Sequence, residues 1–252
     1  MAASRVEILN DGGLRQDARR PYELRSTSFQ LSTHPSSDGS STATQGLTTV
    51  AVSVFGPREP RNRGLASHDR AVVSVEVGVV PWAAGAGARR TRGDKQTFEP
   101  VIMTHLYPRS EIAIHVQVLS ADGGILPTSI NATTLALIDA GISLLDYVSS
   151  ISIGLHLLQP LLDLSQPEES DLPSLVIASL PSSGKITLAQ METRLHVDRF
   201  EEMLTLGVEA CKVLKEEMDG VVKDRTERIV ERRSIKVGGQ GTGQEGEMVI
   251  DD

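Results

Sequence analysis

Hydrophobic positions alternate most strictly in Glu111-Ile-Ala-Ile-His-Val-Gln-Val-Leu119, where Ile112, Ile114, Val116 and Val118 fall on one face. Period two over this length predicts a half-buried strand. A second run, Ala71 to Val79, reads as a strand in the same way, and Ala51-Val-Ser-Val-Phe55 as another that stops at Gly56-Pro57. From Phe29 to Phe55 short apolar segments alternate with Ser/Gly/Thr-rich turns such as Ser36-Ser-Asp-Gly-Ser-Ser41, which predicts antiparallel pairing. The strand ending at Leu119 runs through Ser-Ala-Asp-Gly-Gly124 to a helix expected from Asn131 to Gly141 and on to 147. A strand over Val148–Gly154 follows, and two more are expected at Leu175–Leu180 and Ile186–Met191. Near the end, Phe200, Met203, Leu204, Val208, Cys211 and Leu214 recur every three or four residues, the stripe of an amphipathic helix with Asp198 as its expected N-cap. Beyond Gly220 the charges mix, and the Gly/Gln/Glu-rich tail has the composition of a disordered segment. These elements make an α+β chain with two sheet-containing halves.

Composition narrows the function classes. The 252 residues are enough for a packed core of one or two domains, and 39% hydrophobic with 23% charged residues is ordinary for a soluble globular chain. Aromatic content of 3% argues against base stacking as the main mode of nucleic-acid contact, and the formal charge of −8 against a surface that coats itself in nucleic acid. Cys211 is the only cysteine and lies in the apolar stripe, so it reads as a small buried hydrophobe in a reducing compartment. No apolar run of membrane-spanning length and no signal-peptide pattern is present, which leads us to expect a soluble intracellular protein without membrane contact. The six histidines lack ligand spacing, so neither a metal nor another cofactor is expected.

The candidate chemistry centres on the turn at Asp122-Gly123-Gly124. A glycine-rich turn between a strand and a helix presents backbone N–H groups and the positive end of the helix dipole to an anion. This strand–turn–helix resembles the RNase PH family, most closely the exosome ring subunits. Further matches run in order along the chain: Gly13-Leu-Arg-Gln-Asp-Ala-Arg-Arg20, Asp38-Gly-Ser-Ser41 with Gln45-Gly46, Gly56-Pro-Arg-Glu-Pro-Arg61, Tyr107-Pro-Arg109 and Leu137-Ile-Asp-Ala-Gly-Ile142. The resemblance covers about Glu7 to Arg233. It implies an RNase PH-like fold with two βαβ-type halves and a C-terminal amphipathic helix, a domain over 1–236 and a disordered tail over 237–252.

For activity, the resemblance implies phosphorolysis of RNA 3′ ends, in which Thr or Ser and then Arg after the two glycines hold the attacking phosphate. Here Gly123 and Gly124 are followed by Ile125 and Leu126, so the turn is kept and the grip is lost. Active relatives also carry two aspartates six residues apart. Asp163 matches the first, and Glu169, one methylene longer, stands at the second. The plainer reading of these two is a solvated acidic loop at a strand end; the rival is an active phosphate-dependent 3′–5′ exoribonuclease that uses both.

The RNA contacts implied are Arg61 and Arg63 in the loop matching the channel entry, against a solvated turn or subunit salt bridges, and Arg89, Arg90 and Arg92 in the stretch before Tyr107. That stretch reads as a shortened helix broken at Gly93, preceded by a mobile Gly/Ala/Arg-rich segment from Pro81. Arg109 is expected in a structural ion pair, and Asp139 as an internal cap or pair.

The resemblance therefore implies a non-catalytic subunit in a hexameric ring of RNase PH-like paralogues. Its partners would be RNA-binding cap proteins, a separate hydrolytic exoribonuclease and single-stranded RNA, in nucleus, nucleolus and cytoplasm. A free-standing RNA-binding protein fits poorly with the charge of −8.

Overall fold

The computed structural model describes residues 8–10, 12–60, 67–80, 91–191 and 193–238, with the backbone alone for 91, 92, 95 and 232–238. Its elements are β1 (Thr27–Leu31), β2 (Gly39–Gln45), β3 (Thr48–Arg58), β4 (Val72–Val79), α1 (Thr91–Phe98), β5 (Glu111–Ser120), α2 (Ile125–Asp139), β6 (Ser149–His156), β7 (Gln159–Leu162), α3 (Gln166–Asp171), β8 (Ser174–Leu180), β9 (Lys185–Met191) and α4 (Val197–Gly238). One sheet has the order β1-β2-β3-β5-β4 and the other β7-β6-β8-β9. β1, β2, β3 and β5 pair antiparallel in sequence, whereas β4 and β5 pair in parallel across α1, which makes the first half a βαβ unit.

The alternation of β5 places Ile112, Ile114, Val116 and Val118, all fully buried, on α2. α2 in turn lies between the two sheets, and every residue from Ile125 to Leu137 is buried. A helix enclosed on all sides needs its polar groups satisfied inside the protein. Ser129 and Thr133 hydroxyls donate to carbonyls one turn back, at 2.8 Å each. Asn131 Nδ2 donates to the Ser150 carbonyl at 3.0 Å and its Oδ1 accepts from the Ser150 N–H at 2.8 Å, which fastens α2 to β6. The helix starts at Ile125, six residues before the Asn131 expected from sequence, and ends at Asp139. Pro127 sits in the first turn, where its missing N–H costs nothing. At the other end Gly141 has φ +71° and donates to the Ile138 carbonyl while Ile142 N–H donates to that of Leu137, a closed helix end that no helix to 147 can share.

α4 covers the outer face of the second sheet with Met203, Ala210, Cys211 and Leu214. Its first turn opens on the His196 carbonyl, which accepts from Phe200 N–H at 3.1 Å, so Asp198 lies inside the first turn and favours the dipole there instead of capping it. Burial raises the Cys211 thiol pKa, in keeping with the packed hydrophobe expected. The expected strands at 148–154, 175–180 and 186–191 correspond to β6, β8 and β9. α1 runs through Gly93 without a break. A Cβ at Gly93 would stand 3.2 Å from Leu126 Cδ1, so the glycine lets α1 approach the start of α2.

Among the described residues no helix is long and apolar enough to cross a membrane. The expected tail lies almost wholly outside the described residues, as do Pro81–Arg90.

Candidate functional site: the glycine turn and its two carboxylates

Asp122, Gly123 and Gly124 join β5 to α2, with φ of +76° at Gly123 and +61° at Gly124. A Cβ on Gly123 would lie 2.6 Å from Gln166 N and Ser165 C and 2.7 Å from the Leu164 carbonyl oxygen, so the second half packs its own backbone against this turn. The turn carbonyls are held from the first half: Thr48 Oγ1 donates to the Gly123 carbonyl at 2.7 Å and accepts from the Asp122 N–H at 3.0 Å.

Asp163 follows β7 in a left-handed conformation (φ +54°) and is fully buried, not the solvated loop residue that sequence suggested. Arg25 explains how a carboxylate tolerates this burial. Its Nε and Nη2 donate to Asp163 Oδ1 at 3.0 and 2.7 Å, and its backbone N–H donates to Oδ2 at 2.9 Å. The rest of that guanidinium serves the turn, with Nη1 donating to the Asp122 carbonyl at 2.7 Å. A buried carboxylate with a guanidinium fork and a backbone N–H is charge-neutral and closely satisfied. Below it, Arg15 Nη1 and Arg19 Nη1 each donate to the Asp163 carbonyl at 3.1 Å. Arg15 also donates to the Leu162 carbonyl at 2.6 Å and lies 3.7 Å from Glu168; burial lowers its pKa.

Glu169 is likewise not in a solvated loop. It lies in α3, which opens at Ser165 with Glu168 Oε2 accepting the Ser165 N–H at 2.9 Å. Glu169 Oε2 accepts from the Gly124 N–H at 3.0 Å. Gly124 is the N-cap residue of α2, so the amide that a bound anion would seek is already taken by the chain's own carboxylate. Ile125 and Leu126 turn inward and are 6% and 1% exposed. The sequence-predicted turn and carboxylates therefore come together at one place, closed by Arg25 and Glu169.

The remaining predicted positions divide. Arg61, Arg63, Arg89 and Arg90 lie outside the described residues; Arg92 is the second residue of α1, and its side chain is not described. Arg109 is exposed with φ +57°, its N–H donates to the Ser67 carbonyl at 3.2 Å, and among the described residues it makes no ion pair, contrary to expectation: its contribution is to the backbone turn. Asp139 does pair internally, accepting from Ser32 Oγ at 2.7 Å and Ser40 N–H at 3.0 Å. Arg25, Glu168 and the buried roles of Arg15 and Arg19 were missed in the sequence. Only Glu168 carried a local signal, the capping-box spacing Ser165-x-x-Glu168. Among the described residues no cluster of three or more His, Cys, Asp or Glu is placed to hold a metal ion.

Beside the site, α1 carries Asp94, 2% exposed, with no hydrogen-bond partner to Oδ1 among the described residues; burial pushes its pKa up to about 7. The folded state thus keeps a proton that the unfolded chain releases near pH ~4. Its contribution favours folding below that value and is lost as pH rises through about 7. Asp94→Asn is expected to raise the melting temperature relative to wild type near pH ~8, with the difference vanishing near pH ~4. Paired thermal melts at the two pH values check this.

Comparison with known proteins decides the family. Residues 23–143 match the model of the 3′ exoribonuclease family, domain 1, and residues 146–210 that of domain 2. The chain belongs to the RNase PH family. The boundary between the two family segments falls between α2 and β6, where the chain passes from the first sheet to the second. Among curated relatives, the mouse (Mus musculus) exosome complex component RRP41 is 39% identical over 92% of this chain and 98% of its own length. Exosome complex component SKI6 of Saccharomyces cerevisiae is 34% identical over 92% of this chain and 100% of its own. Rice (Oryza sativa) Rrp46 superposes with a TM-score of 0.77 at 23% identity, covering 83% of this chain and 100% of that one. A chain of the Archaeoglobus fulgidus exosome, solved with RNA bound to the active site, gives a TM-score of 0.70 at 21% identity, covering 82% of this chain and 93% of that one. At these identities the solved structures speak to the RNase PH fold.

Proposed function

We propose that this chain is a non-catalytic RNase PH-like ring subunit of an RNA exosome. In this reading it helps to build the channel that threads single-stranded RNA to a separate 3′–5′ exoribonuclease, for ribosomal RNA 3′-end processing and RNA degradation. The observation that carries the non-catalytic reading is Glu169 on the Gly124 amide. Phosphorolysis requires cations and N–H donors that hold a multiply charged nucleophile beside a second anion. Here the N-cap amide of α2 is taken, the guanidinium nearest the turn is committed to Asp163, and the two following side chains are apolar and buried.

The ring reading draws on relatives named as exosome components and aligned over nearly the whole chain. Its partners are RNase PH-like paralogues in a six-membered ring, RNA-binding cap proteins and a hydrolytic nuclease, in nucleus, nucleolus and cytoplasm. The channel contribution falls to Arg61, Arg63, Arg89, Arg90 and Arg92, acting on phosphates without reading sequence. The functional domain is 1–236, with 237–252 as a tail. Binding of an oligouridine by the assembled ring should weaken steeply with salt, and replacing Arg61 and Arg63 with alanine should reduce both affinity and salt slope.

One observation favours the rival, an active phosphorolytic subunit: Asp163 and Glu169 converge on the same turn. Assay of nucleoside diphosphate release by the assembled ring with inorganic phosphate and single-stranded RNA separates the two. The present reading expects none.

A further inference from the structure

β1 is the outer strand of the first sheet, and its pairing with β2 leaves its other edge open. Ser32 N–H donates to the Ser40 carbonyl and Gly46 N–H to that of Ser26, so the amides of Ser28 and Gln30 turn toward β2. Those of Phe29 and Leu31 turn away, and among the described residues they find no backbone partner there. Native sheets cover such edges, because a row of N–H and C=O groups is a template for another strand.

α4 passes beside this edge. A cavity of about 440 Å³ lies between them, lined by Phe29 and Leu31 of β1 and by Val221, Asp224, Arg225 and Arg228 of α4. Its size is within the roughly 300–1,000 Å³ of sites that hold drug-sized ligands, room for a few side chains of a peptide. Arg225 Nη2 donates to Ser32 Oγ at 2.8 Å, but its Nε is buried without a hydrogen-bond partner. Arg228 is exposed and makes no ion pair among the described residues. The cavity therefore joins an apolar wall, a buried donor in want of an acceptor, an uncommitted guanidinium and a free strand edge. A phosphate backbone could answer the donors alone, whereas an extended acidic peptide answers all four.

Such a segment follows α4 in the same chain. Glu247-Met248-Val249-Ile250-Asp251 sets β-forming residues between acids, and residues 239–252 carry four acidic side chains and no Lys or Arg. Gly239, Gly241, Gly243 and Gly246 give the stretch before it freedom to reverse. From Arg228 to its end at Gly238, α4 rises about 15 Å. A glycine-rich stretch over 239–246 has a typical end-to-end distance of about 15 Å, which matches that span.

We propose that residues 247–251 add to the open edge of β1 as a further strand of the same chain, with their acidic ends at Arg225 and Arg228. The contact lies within one chain and does not depend on ring assembly. Tethering at a matched span gives an effective concentration on the order of millimolar, so a strand contact with a Kd of about 0.1 mM fills the edge in about nine chains of ten. Hydrogen exchange of the full-length chain, read residue by residue, should then find the Phe29 and Leu31 amides about tenfold slower than in a chain ending at Gly238. The Ser28 and Gln30 amides, already paired with β2, should not change. Added salt should reduce the protection, and Arg228→Glu should remove most of it. Combining Arg228→Glu with Glu247→Lys and Asp251→Lys should restore it. Equal exchange at Phe29 and Leu31 in the full-length and shortened chains overturns the inference. So does protection that falls on dilution, which would assign the strand to a second copy, or protection that arises only when ring partners are added, which would assign it to a neighbouring subunit. Thermal melts of each variant separate a lost strand contact from lost folding.

Discussion

Arg25→Met is expected to lower the unfolding free energy by about 3–5 kcal/mol, the cost of leaving one member of a buried ion pair without its partner. The size follows from the burial of both groups: side-chain exposure is 5% for Arg25 and 1% for Asp163. Arg25 supplies two of the donors to Oδ1 from its guanidinium, and the same group holds the Asp122 carbonyl. Losing it strands the carboxylate and loosens the glycine turn together. Adding Asp163→Asn removes the stranded charge and, because asparagine tolerates a left-handed backbone, keeps the φ of +54°. The double variant should therefore recover part of the loss, a coupling measurable by urea unfolding of the four chains in a double-mutant cycle. Additive effects would mean that Asp163 is not held by Arg25.

Gly123→Ala should be of similar severity for a different reason. Its φ of +76° alone costs a β-carbon about 1–2 kcal/mol. The new methyl group would also lie under 3 Å from three backbone atoms of residues 164–166, which cannot rotate away as a side chain could. Together these predict a loss of about 3–5 kcal/mol. Gly184 provides the control, with φ of +67° and nothing within 4 Å of an added Cβ, so Gly184→Ala should cost only about 1–2 kcal/mol. Urea unfolding of both variants, with and without inorganic phosphate, gives the comparison. Equal losses would show that the contact with α3 contributes nothing. Gly123 thus serves the packing between the two halves, independently of any phosphate chemistry.

These two residues mark how far the sequence could be read. Strand β5 was legible because one face is buried and the other is not, so its period survives in the residue pattern. α2 is enclosed on every side, leaving no amphipathic period from which its start at Ile125 could be read. The glycine turn and the apolar pair Ile125-Leu126 could be read directly, since backbone freedom and missing donors are properties of residue types. The burial of Asp163 could not, because it depends on Arg25 arriving from 138 positions away. Nor could the use of Glu169 as the partner of the Gly124 amide, since nothing local to Glu169 reveals what α3 packs against.

The role proposed for this chain is to guide RNA without cutting it. The direct measurement is nucleoside diphosphate release by the full-length chain assembled with its ring partners, supplied with inorganic phosphate and single-stranded RNA in the absence of the hydrolytic nuclease. The expected result is RNA bound and left intact. Phosphate-dependent release of nucleoside diphosphates that stops on Glu169→Gln, in an assembly that otherwise forms and binds RNA as wild type does, would contradict it.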